Sequence, residues 1–198
     1  MKKILLTGFE PFGTKKINPS YEAVARVRDV DGAEIRRVCL PVTWDGAPEA
    51  LMREIDAFDP DAVIMCGLAS GRREISVERV GVNIRGAIKD NAGKYPSGDA
   101  PAEKPISSVG ADAYFPTFDF KKILAAMKAE NIPAGYSFSA GTYICNLVLY
   151  VALERERRER RGRRIGFIHI PDVKEFEPDA PISLKTATRA IEIAAENC

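Results

Sequence analysis

Short apolar runs alternate along the chain with segments in which apolar residues recur every three or four positions. The first pattern has the length of strands, whereas the second has the spacing of amphipathic helices. It predicts four main strands, over 3–7, 34–40, 61–66 and 165–170. It predicts five helices, over 19–27, 48–58, 118–130, 143–161 and 182–197. Such alternation indicates an α/β fold, a three-layer α/β/α sandwich around a largely parallel sheet.

Two stretches interrupt this alternation. Between Ile75 and Ile88, β-branched residues mix with polar ones without helical spacing, which predicts extended structure or a hairpin at the sheet margin. Between Asp90 and Ser108 lie three prolines and two glycines, which predict a long irregular loop. Because no internal repeat or linker divides the sequence, we expect a single domain over 1–198.

Composition and charge exclude several classes of protein. Apolar residues make up 45% of the 198 positions, enough for a core that needs no metal or disulfide. The 29 basic and 28 acidic residues nearly balance, so charge favours neither nucleic acid nor an anionic membrane as partner. The apolar run after Lys3 is too short for a signal peptide, and no stretch has the length of a membrane span.

The cysteines are widely separated and form no C-x-x-C pair; they are Cys39, Cys66, Cys145 and Cys198. Small secreted scaffolds are denser in cysteine, so we expect reduced thiols and a cytoplasmic protein. With one histidine and dispersed cysteines, the sequence shows no spacing typical of metal ligands. It therefore predicts neither a metal nor another cofactor.

The turn from Gly8 to Lys15 resembles a phosphate-binding loop only superficially. In the phosphate-binding motif G-x-x-x-x-G-K-[ST], lysine precedes the hydroxyl residue, whereas here Thr14 precedes Lys15. A proline and two phenylalanines also fill the turn. We therefore do not expect it to bind nucleotide.

A run of seven arginines between Glu154 and Arg164 could form a nucleic-acid patch. The alternative is a solvated helix end whose acidic residues pair with arginines four positions later. The pairs with this spacing are Glu154–Arg158, Glu156–Arg160 and Glu159–Arg163. We favour the self-paired helix end, and an RNA-binding role is the weaker interpretation.

A candidate nucleophile lies where the fourth helix is predicted to begin. Thr142 could be the N-cap, which would place Cys145 in the first turn. Unpaired backbone N–H groups and the helix dipole would then lower the pKa of the Cys145 thiol and favour a thiolate. The alternative is an inert core cysteine, because the helix is apolar up to Leu153 except at Asn146.

A histidine and a glutamate could complete a nucleophilic site. His169, the only histidine, lies at the end of the last predicted strand, where parallel sheets bind ligands. A nucleophile and its base need be neighbours only in space. Glu78 could orient the imidazole, although the pattern leaves open which strand face it occupies. If Glu78 is buried, it needs a partner among Arg72, Arg79 and His169.

Four separated motifs carry a family resemblance. They are TGFEPFG (Thr7–Gly13) with Asn18-Pro19-Ser20, GLASGR (Gly67–Arg72) with ISVERV (Ile75–Val80) and Asn83, SFSAGTYICN (Ser137–Asn146), and GFIHIP (Gly166–Pro171). In this order they resemble pyroglutamyl peptidase I, also called pyrrolidone carboxyl peptidase, a family of cysteine peptidases. The resemblance covers the chain from Lys3 to about Pro171 and is weaker beyond it.

The resemblance implies hydrolysis of the amide bond after an N-terminal pyroglutamyl residue of peptides. It implies that Cys145 is the nucleophile, His169 the general base and acid, and Glu78 the group that orients His169. It also implies a phosphorylase-like or hydrolase-like α/β/α fold, a cytoplasmic location and association into a homodimer or homotetramer.

The resemblance also suggests which residues bind the substrate. The two phenylalanines of the first motif, Phe9 and Phe12, would form apolar walls for the lactam ring; core packing is their alternative role. Weaker candidates for the rim of the pocket are Asn18, Leu68, Thr43 and Tyr143.

Some positions depart from the family pattern. Gly81 stands where the family usually has alanine, and Tyr136 where it usually has a small aliphatic residue. The segment 86–91 lacks an arginine and a proline, and 114–119 keeps only the threonine of its motif. A changed rim around a retained triad leaves a second hypothesis, a weakened member that binds N-terminally cyclised peptides without turnover. A phosphate-dependent, nucleoside-phosphorylase-like enzyme is a third, although no phosphate motif is visible.

Overall fold

The structure, a computed structural model, describes residues 1–98 and 100–198. Its strands are β1 (Lys2–Phe9), β2 (Ala33–Leu40), β3 (Ala62–Leu68), β4 (Ile75–Glu78), β5 (Gly81–Val82), β6 (Ala113–Tyr114), β7 (Ala134–Ser137) and β8 (Arg164–Ile170). Its helices are α1 (Pro19–Ala25), α2 (Gly46–Phe58), α3 (Phe120–Ala129), α4 (Ile144–Glu159) and α5 (Leu184–Glu196). Within the described ranges, no helix is long and apolar enough to cross a membrane.

The main sheet has six strands in the order β2-β1-β3-β8-β4-β7. Strands β2, β1, β3 and β8 pair in parallel. Strand β4 runs antiparallel to β8, and β7 is parallel to β4. The predicted largely parallel sheet is confirmed, with one antiparallel junction between β8 and β4.

Alternating strand residues divide the core into two layers. On β1, Ile4 and Leu6 pack in one core with α1, α3 and α5, whereas Leu5 packs in the other with α2 and α4. Consecutive side chains of a strand point to opposite faces, so β1, β3 and β8 each contribute to both cores. The predicted three-layer α/β/α sandwich is therefore confirmed.

The segment expected at the sheet margin lies inside the sheet. Strand β4 is flanked by β8 and β7, and its residues are buried. The next strand, β5, leaves this sheet and pairs antiparallel with β6. The prediction of extended structure was right, but the marginal hairpin was wrong. The edge strand β7, with the sequence AGYS, has no pronounced apolar pattern and was not predicted.

The predicted irregular loop is confirmed. The described residues between 90 and 108 form isolated bridges but no helix or named strand. The carboxylate of Asp90 accepts hydrogen bonds from the backbone N–H groups of Trp44, Ala92 and Lys94, each at 2.9 Å. These bonds fix the start of the loop beside the beginning of α2.

The arginines at the end of α4 bind partners that differ from the predicted ones. Of the three predicted pairs, only Glu159–Arg163 forms among the described residues, at 2.6 Å. Arg163 also binds Asp59 at 3.1 Å, and Arg155 binds Asp56. Both aspartates lie at or near the end of α2. The prediction of a self-paired helix end was thus only partly right. Spacing within one helix cannot show that aspartates of a neighbouring helix bind the same arginines.

Candidate active site

The carboxyl ends of three neighbouring parallel strands meet at one edge of the sheet. Phe9 ends β1, Leu68 ends β3, and His169 is the last residue but one of β8. Such an edge is where open α/β sheets bind ligands. Helix α4 begins at the same place and brings Cys145 to it.

Cys145 is the second residue of α4, so it lies in the first turn as predicted. The N-cap, however, is Tyr143, whose backbone is extended and whose side chain makes no capping bond. The predicted Thr142 cap is therefore wrong. The carbonyl of Thr142 instead accepts a hydrogen bond from the N–H of Gly86 at 2.6 Å, which anchors the turn before the helix.

Gly67 provides the space for the Cys145 sulfur. A Cβ atom at position 67 would lie 2.8 Å from Sγ of Cys145 and 2.8 Å from Cζ of Phe167. In the β3–β8 register, Gly67 is the direct partner of His169. The missing side chain therefore lets the thiol lie against β3, beside the strand that carries the imidazole. No role was predicted for Gly67 at the site, and its place in GLASGR was the only signal in the sequence.

His169 and Glu78 are joined by a hydrogen bond of 2.7 Å between Nδ1 and Oε1. Ser76 pairs with His169 across the antiparallel junction, whereas Ile75 and Val77 belong to the opposite core. The alternation of strand residues therefore turns Glu78 toward the face that carries α4 and His169. This settles the face that the sequence left open. The two side chains are almost completely buried, with 4% of His169 and 0% of Glu78 exposed.

Arg72 is the second partner of the buried carboxylate. Its Nη1 donates to the same Oε1 of Glu78 at 2.7 Å, and its Nη2 donates to the carbonyl of Ser139 at 2.9 Å. Two of the three predicted partners, Arg72 and His169, are therefore used together. The third, Arg79, lies over the ring of Phe120, with its guanidinium carbon 3.4 Å from the ring centre.

Burial and charge together set the protonation of this pair. Burial lowers the pKa of His169 below its usual 6.5, although the hydrogen bond and charge of Glu78 act in the opposite direction. Burial alone would raise the pKa of Glu78, but interactions with His169, Ser137 and Arg72 hold it below its usual value. At neutral pH the carboxylate is ionised and the imidazole is neutral. The neutral ring donates its Nδ1 proton to Glu78, which leaves Nε2 free to accept a proton.

Burial disfavours ionisation of the Cys145 thiol. Burial raises the pKa of this thiol to about 12, and the charge of Glu78 acts in the same direction. Arg72 and the backbone at the helix start lower it without compensating. The residue as a whole is half-buried, but its sulfur packs beside Gly67. The predicted lowering of the pKa was wrong, because burial of the sulfur, which the apolar start of the helix gave as the alternative, outweighs the helix dipole.

A cavity of about 220 Å³ adjoins the thiol and the imidazole. Among its lining residues are all five predicted substrate-binding positions: Phe9, Phe12, Asn18, Leu68 and Tyr143. Its remaining walls, which the sequence analysis did not predict, come from Val42, Ala140 and Ile144. The weaker candidate Thr43 is not among the lining residues, and its carbonyl accepts the first helical bond of α2 from Ala47.

Two polar residues of the wall also hold the structure together. Oδ1 of Asn18 accepts hydrogen bonds from the N–H and the hydroxyl of Ser20 at 3.0 and 2.9 Å, and its Nδ2 donates to the Glu10 carbonyl at 2.9 Å. The hydroxyl of Tyr143 donates to the Lys89 carbonyl at 3.1 Å. Because these polar groups already have hydrogen-bond partners within the protein, they shape the pocket more than they offer hydrogen bonds to a ligand.

The turn that carries Phe12 is fastened on two sides. Lys15 binds Asp172, just after β8, at 2.9 Å. Nδ2 of Asn91 donates to the carbonyl of Pro11 at 2.8 Å. This wall of the pocket is therefore held in place although it belongs to no strand.

The arrangement has the parts of a nucleophilic site. A thiol, an imidazole with a free Nε2 and a carboxylate that fixes the imidazole meet beside an apolar cavity. Within residues 1–98 and 100–198, no cluster of three or more His, Cys, Asp or Glu side chains is arranged to hold a metal ion.

Comparisons with known proteins identify the family. The family model for pyroglutamyl peptidase matches residues 2–198. Pyrrolidone-carboxylate peptidase 1 of Caldanaerobacter subterraneus is 42% identical over 97% of this chain and 95% of its own length. The enzyme of Thermococcus onnurineus is also 42% identical, over 96% of each chain.

Solved structures give the same result. Pyroglutamyl peptidase I of Bacillus amyloliquefaciens superposes with a TM-score of 0.91 at 38% identity, over 100% of this chain and 96% of its own. A mutant pyrrolidone carboxyl peptidase of Pyrococcus furiosus also gives 0.91, at 35% identity over 98% and 96% of the two chains. Together with the thiol, imidazole and carboxylate described above, these matches show that the chain belongs to the pyroglutamyl peptidase family of cysteine peptidases.

Proposed function

We propose that the protein hydrolyses the amide bond after an N-terminal pyroglutamyl residue of peptides, with Cys145, His169 and Glu78 as its triad. One observation carries the proposal: the hydrogen-bonded His169–Glu78 pair and the Cys145 thiol adjoin the same small apolar cavity. A nucleophile, its base and the group that orients the base are the parts that acyl transfer needs.

The cavity suits a neutral lactam better than a charged N-terminus. Its walls include Phe9, Phe12 and Leu68, and Phe9 is only 3% exposed. An ammonium group would lose its hydration there without gaining a charged partner, which is costly. A cyclised N-terminus has no such charge, so the pocket favours pyroglutamyl peptides over those with a free amine.

The first half of the reaction forms an acyl-enzyme. As Cys145 Sγ attacks the pyroglutamyl carbonyl carbon, its proton passes to Nε2 of His169, and the carbonyl oxygen becomes an oxyanion. Unpaired N–H groups in the first turn of α4 can stabilise that oxyanion. His169, now protonated and paired with Glu78, gives its proton to the leaving amine, and the C–N bond breaks to leave a thioester.

The second half releases the product. Neutral His169 accepts a proton from water, whose oxygen attacks the thioester carbon. The C–S bond breaks, Sγ regains the proton from His169, and free pyroglutamate leaves. Since the thiol and imidazole are both neutral at rest, proton transfer accompanies the attack in each half of the cycle.

Hydrolysis of a chromogenic pyroglutamyl amide tests the proposal. We expect the wild type to release the chromogenic amine and Cys145→Ala to release none. The matched control is Cys39→Ala, which removes an exposed thiol on β2 and should keep full activity. Activity that survives Cys145→Ala would refute the proposal.

Two further measurements define the reaction. After an acid quench during turnover, the peptide that contains Cys145 should carry one pyroglutamyl group; its absence would argue for direct attack by water. Calorimetric binding of a pyroglutamyl peptide without product release would instead favour the weakened, binding-only family member.

A further inference from the structure

Arg72 connects the two segments that carry the triad. It lies between β3 and β4 and is six residues before Glu78 in the sequence. One nitrogen of its guanidinium binds Glu78, and another binds the carbonyl of Ser139, in the segment that leads to Cys145. A planar guanidinium can make both bonds at fixed angles, whereas an ammonium acts as a point charge.

We propose that Arg72 is a positioning residue of the peptidase, which holds Glu78 and the Ser139–Cys145 segment in one fixed arrangement around His169. This inference rests on the proposed function for its kinetic consequence, but its structural consequence can be measured without turnover. Arg72 does not line the lactam cavity, so it acts through Glu78 and the Ser139 carbonyl rather than through the pyroglutamyl ring.

The environment of Glu78 explains why a positioning group is needed. The carboxylate is completely buried, and both His169 and Arg72 bind its Oε1. Its Oε2 has no hydrogen-bond partner among the described residues, because the Ser137 hydroxyl, which helps to lower the pKa of Glu78, donates to the Ser139 carbonyl at 3.2 Å. A carboxylate held through one oxygen can rotate, and the guanidinium, itself anchored on Ser139, restrains that rotation. A buried charge without such a partner is also strongly destabilising.

Few titratable or charged groups face His169, so its pKa should respond to the loss of the Arg72 charge. They are Glu78, Arg72, the thiol of Cys145 and, across the cavity, the phenol of Tyr143, which donates to the Lys89 carbonyl. Asp172, three positions later, is occupied by Lys15 and Ser70. The positive charge of Arg72 lowers the pKa of His169. Removing this charge leaves the carboxylate of Glu78 less compensated, so the imidazolium should form at higher pH.

The single histidine gives a direct test. In a tag-free protein, the imidazole Cε1 proton of His169 is one NMR signal whose shift against pH reports its pKa. We expect Arg72→Met to raise the pKa of His169 above the wild-type value. The matched control is Arg73→Met, which removes the neighbouring exposed arginine and should leave the titration unchanged.

Steady-state kinetics distinguish a positioning role of Arg72 from an effect of its charge alone. With a pyroglutamyl amide, Arg72→Met should lower kcat about 10- to 100-fold and leave KM within about twofold, because the loss is one of alignment. Arg72→Lys keeps the charge but cannot make both bonds, so it should restore the His169 pKa and not kcat. In a Glu78→Gln background, Arg72→Met should cost much less, because the two changes break the same contact.

Each outcome decides the matter. An unchanged His169 titration in folded Arg72→Met, or equal kinetic losses with and without Glu78→Gln, would overturn the inference. If Arg72→Met does not fold, Arg72→Gln removes the charge in its place, and Arg72→Lys is the variant that keeps it. A wild type that hydrolyses no pyroglutamyl amide would refute the proposed function, whereas the NMR titration would still test Arg72.

Discussion

The two ends of helix α4 use polar residues in different ways. Near its start, Asn146 is fully buried, and its side chain binds the N–H and carbonyl of Val82 at 2.9 Å and the carbonyl of Ile84 at 3.0 Å. These bonds fasten β5 to the turn that contains Cys145. Because water cannot reach the Asn146 side chain to replace these bonds, breaking them should shift Cys145 and lower activity.

The far end of α4 shares its charges among several partners. Arg163 binds Glu156, Glu159 and Asp59 at 3.4, 2.6 and 3.1 Å. Oε1 of Glu156 also accepts the N–H of Gly162 at 2.7 Å, which shapes the turn into β8. These contacts join α4, α2 and β8 far along the helix from the thiol. Substitutions at the Cys145 end of α4 should therefore change activity, whereas those at the Arg163 end should change only stability.

The largest effect is expected beside the thiol, from Gly67→Ala. The added methyl group would displace Sγ of Cys145, and a misplacement of about 1 Å can cost about 100-fold in rate. We expect kcat/KM to fall by about 100-fold and the far-UV circular dichroism to stay close to wild type, while the thermal midpoint falls because the methyl group also meets the buried ring of Phe167. A kcat/KM within twofold of wild type would show that the sulfur does not need this space.

At the other end, Arg163→Ala should weaken the fold and spare the chemistry. Removing it leaves Glu156 without its buried counter-charge, which should lower the free energy of unfolding by about 3 kcal/mol. Urea denaturation measures this loss, and kcat below the unfolding transition should be unchanged. The matched control, Arg158→Ala, removes an exposed arginine and should change stability by less than about 0.5 kcal/mol. A tenfold fall in kcat for Arg163→Ala would contradict the claim that this end of α4 affects only stability.

Asn146→Ala should change both properties at once. It leaves buried backbone groups of β5 without partners, which should lower the free energy of unfolding by about 2 kcal/mol. Because Asn146 follows Cys145 directly, kcat should fall as well. Urea denaturation and steady-state kinetics on the same preparation provide the test. A loss of stability with unchanged kcat would show that Asn146, like Arg163, only stabilises the fold.

The pH dependence of kcat/KM sharpens the description of the catalytic end. Below the pKa of His169, which burial holds under its usual value, the base is protonated and kcat/KM should fall about tenfold per pH unit. Above it, kcat/KM should stay level to about pH 9, because attack begins from a neutral thiol with a pKa of about 12. A second rise between about pH 7 and 9 would instead mean that catalysis requires a preformed thiolate.

Local patterns predicted much of the fold. The strand expected over 165–170 is Arg164–Ile170, and the helix expected over 118–130 is Phe120–Ala129. Both follow from periodicity within one segment. The edge position of β7 and the antiparallel direction of β4 did not follow, because they depend on pairing between distant segments.

The site was predictable in membership but not in electrostatics. The sequence motifs brought Cys145, His169 and Glu78 together as candidates, and the structure places all three at one edge of the sheet. The raised pKa of the thiol depends on how far burial outweighs the helix dipole, and the sequence named Arg72 and His169 only as alternative partners of Glu78, not as two donors to the same Oε1. The roles of the triad, the cytoplasmic location, the single domain and the dimer or tetramer stay predictions.

The cavity draws its walls from both ends of the chain. Phe9 comes from the first strand and His169 from the last, and 160 positions separate them. Contacts between such distant positions close a long loop and are slow to form during folding. Peptidase activity should therefore emerge only after the last strand has docked, so a nascent chain that still lacks β8 should not cleave peptides.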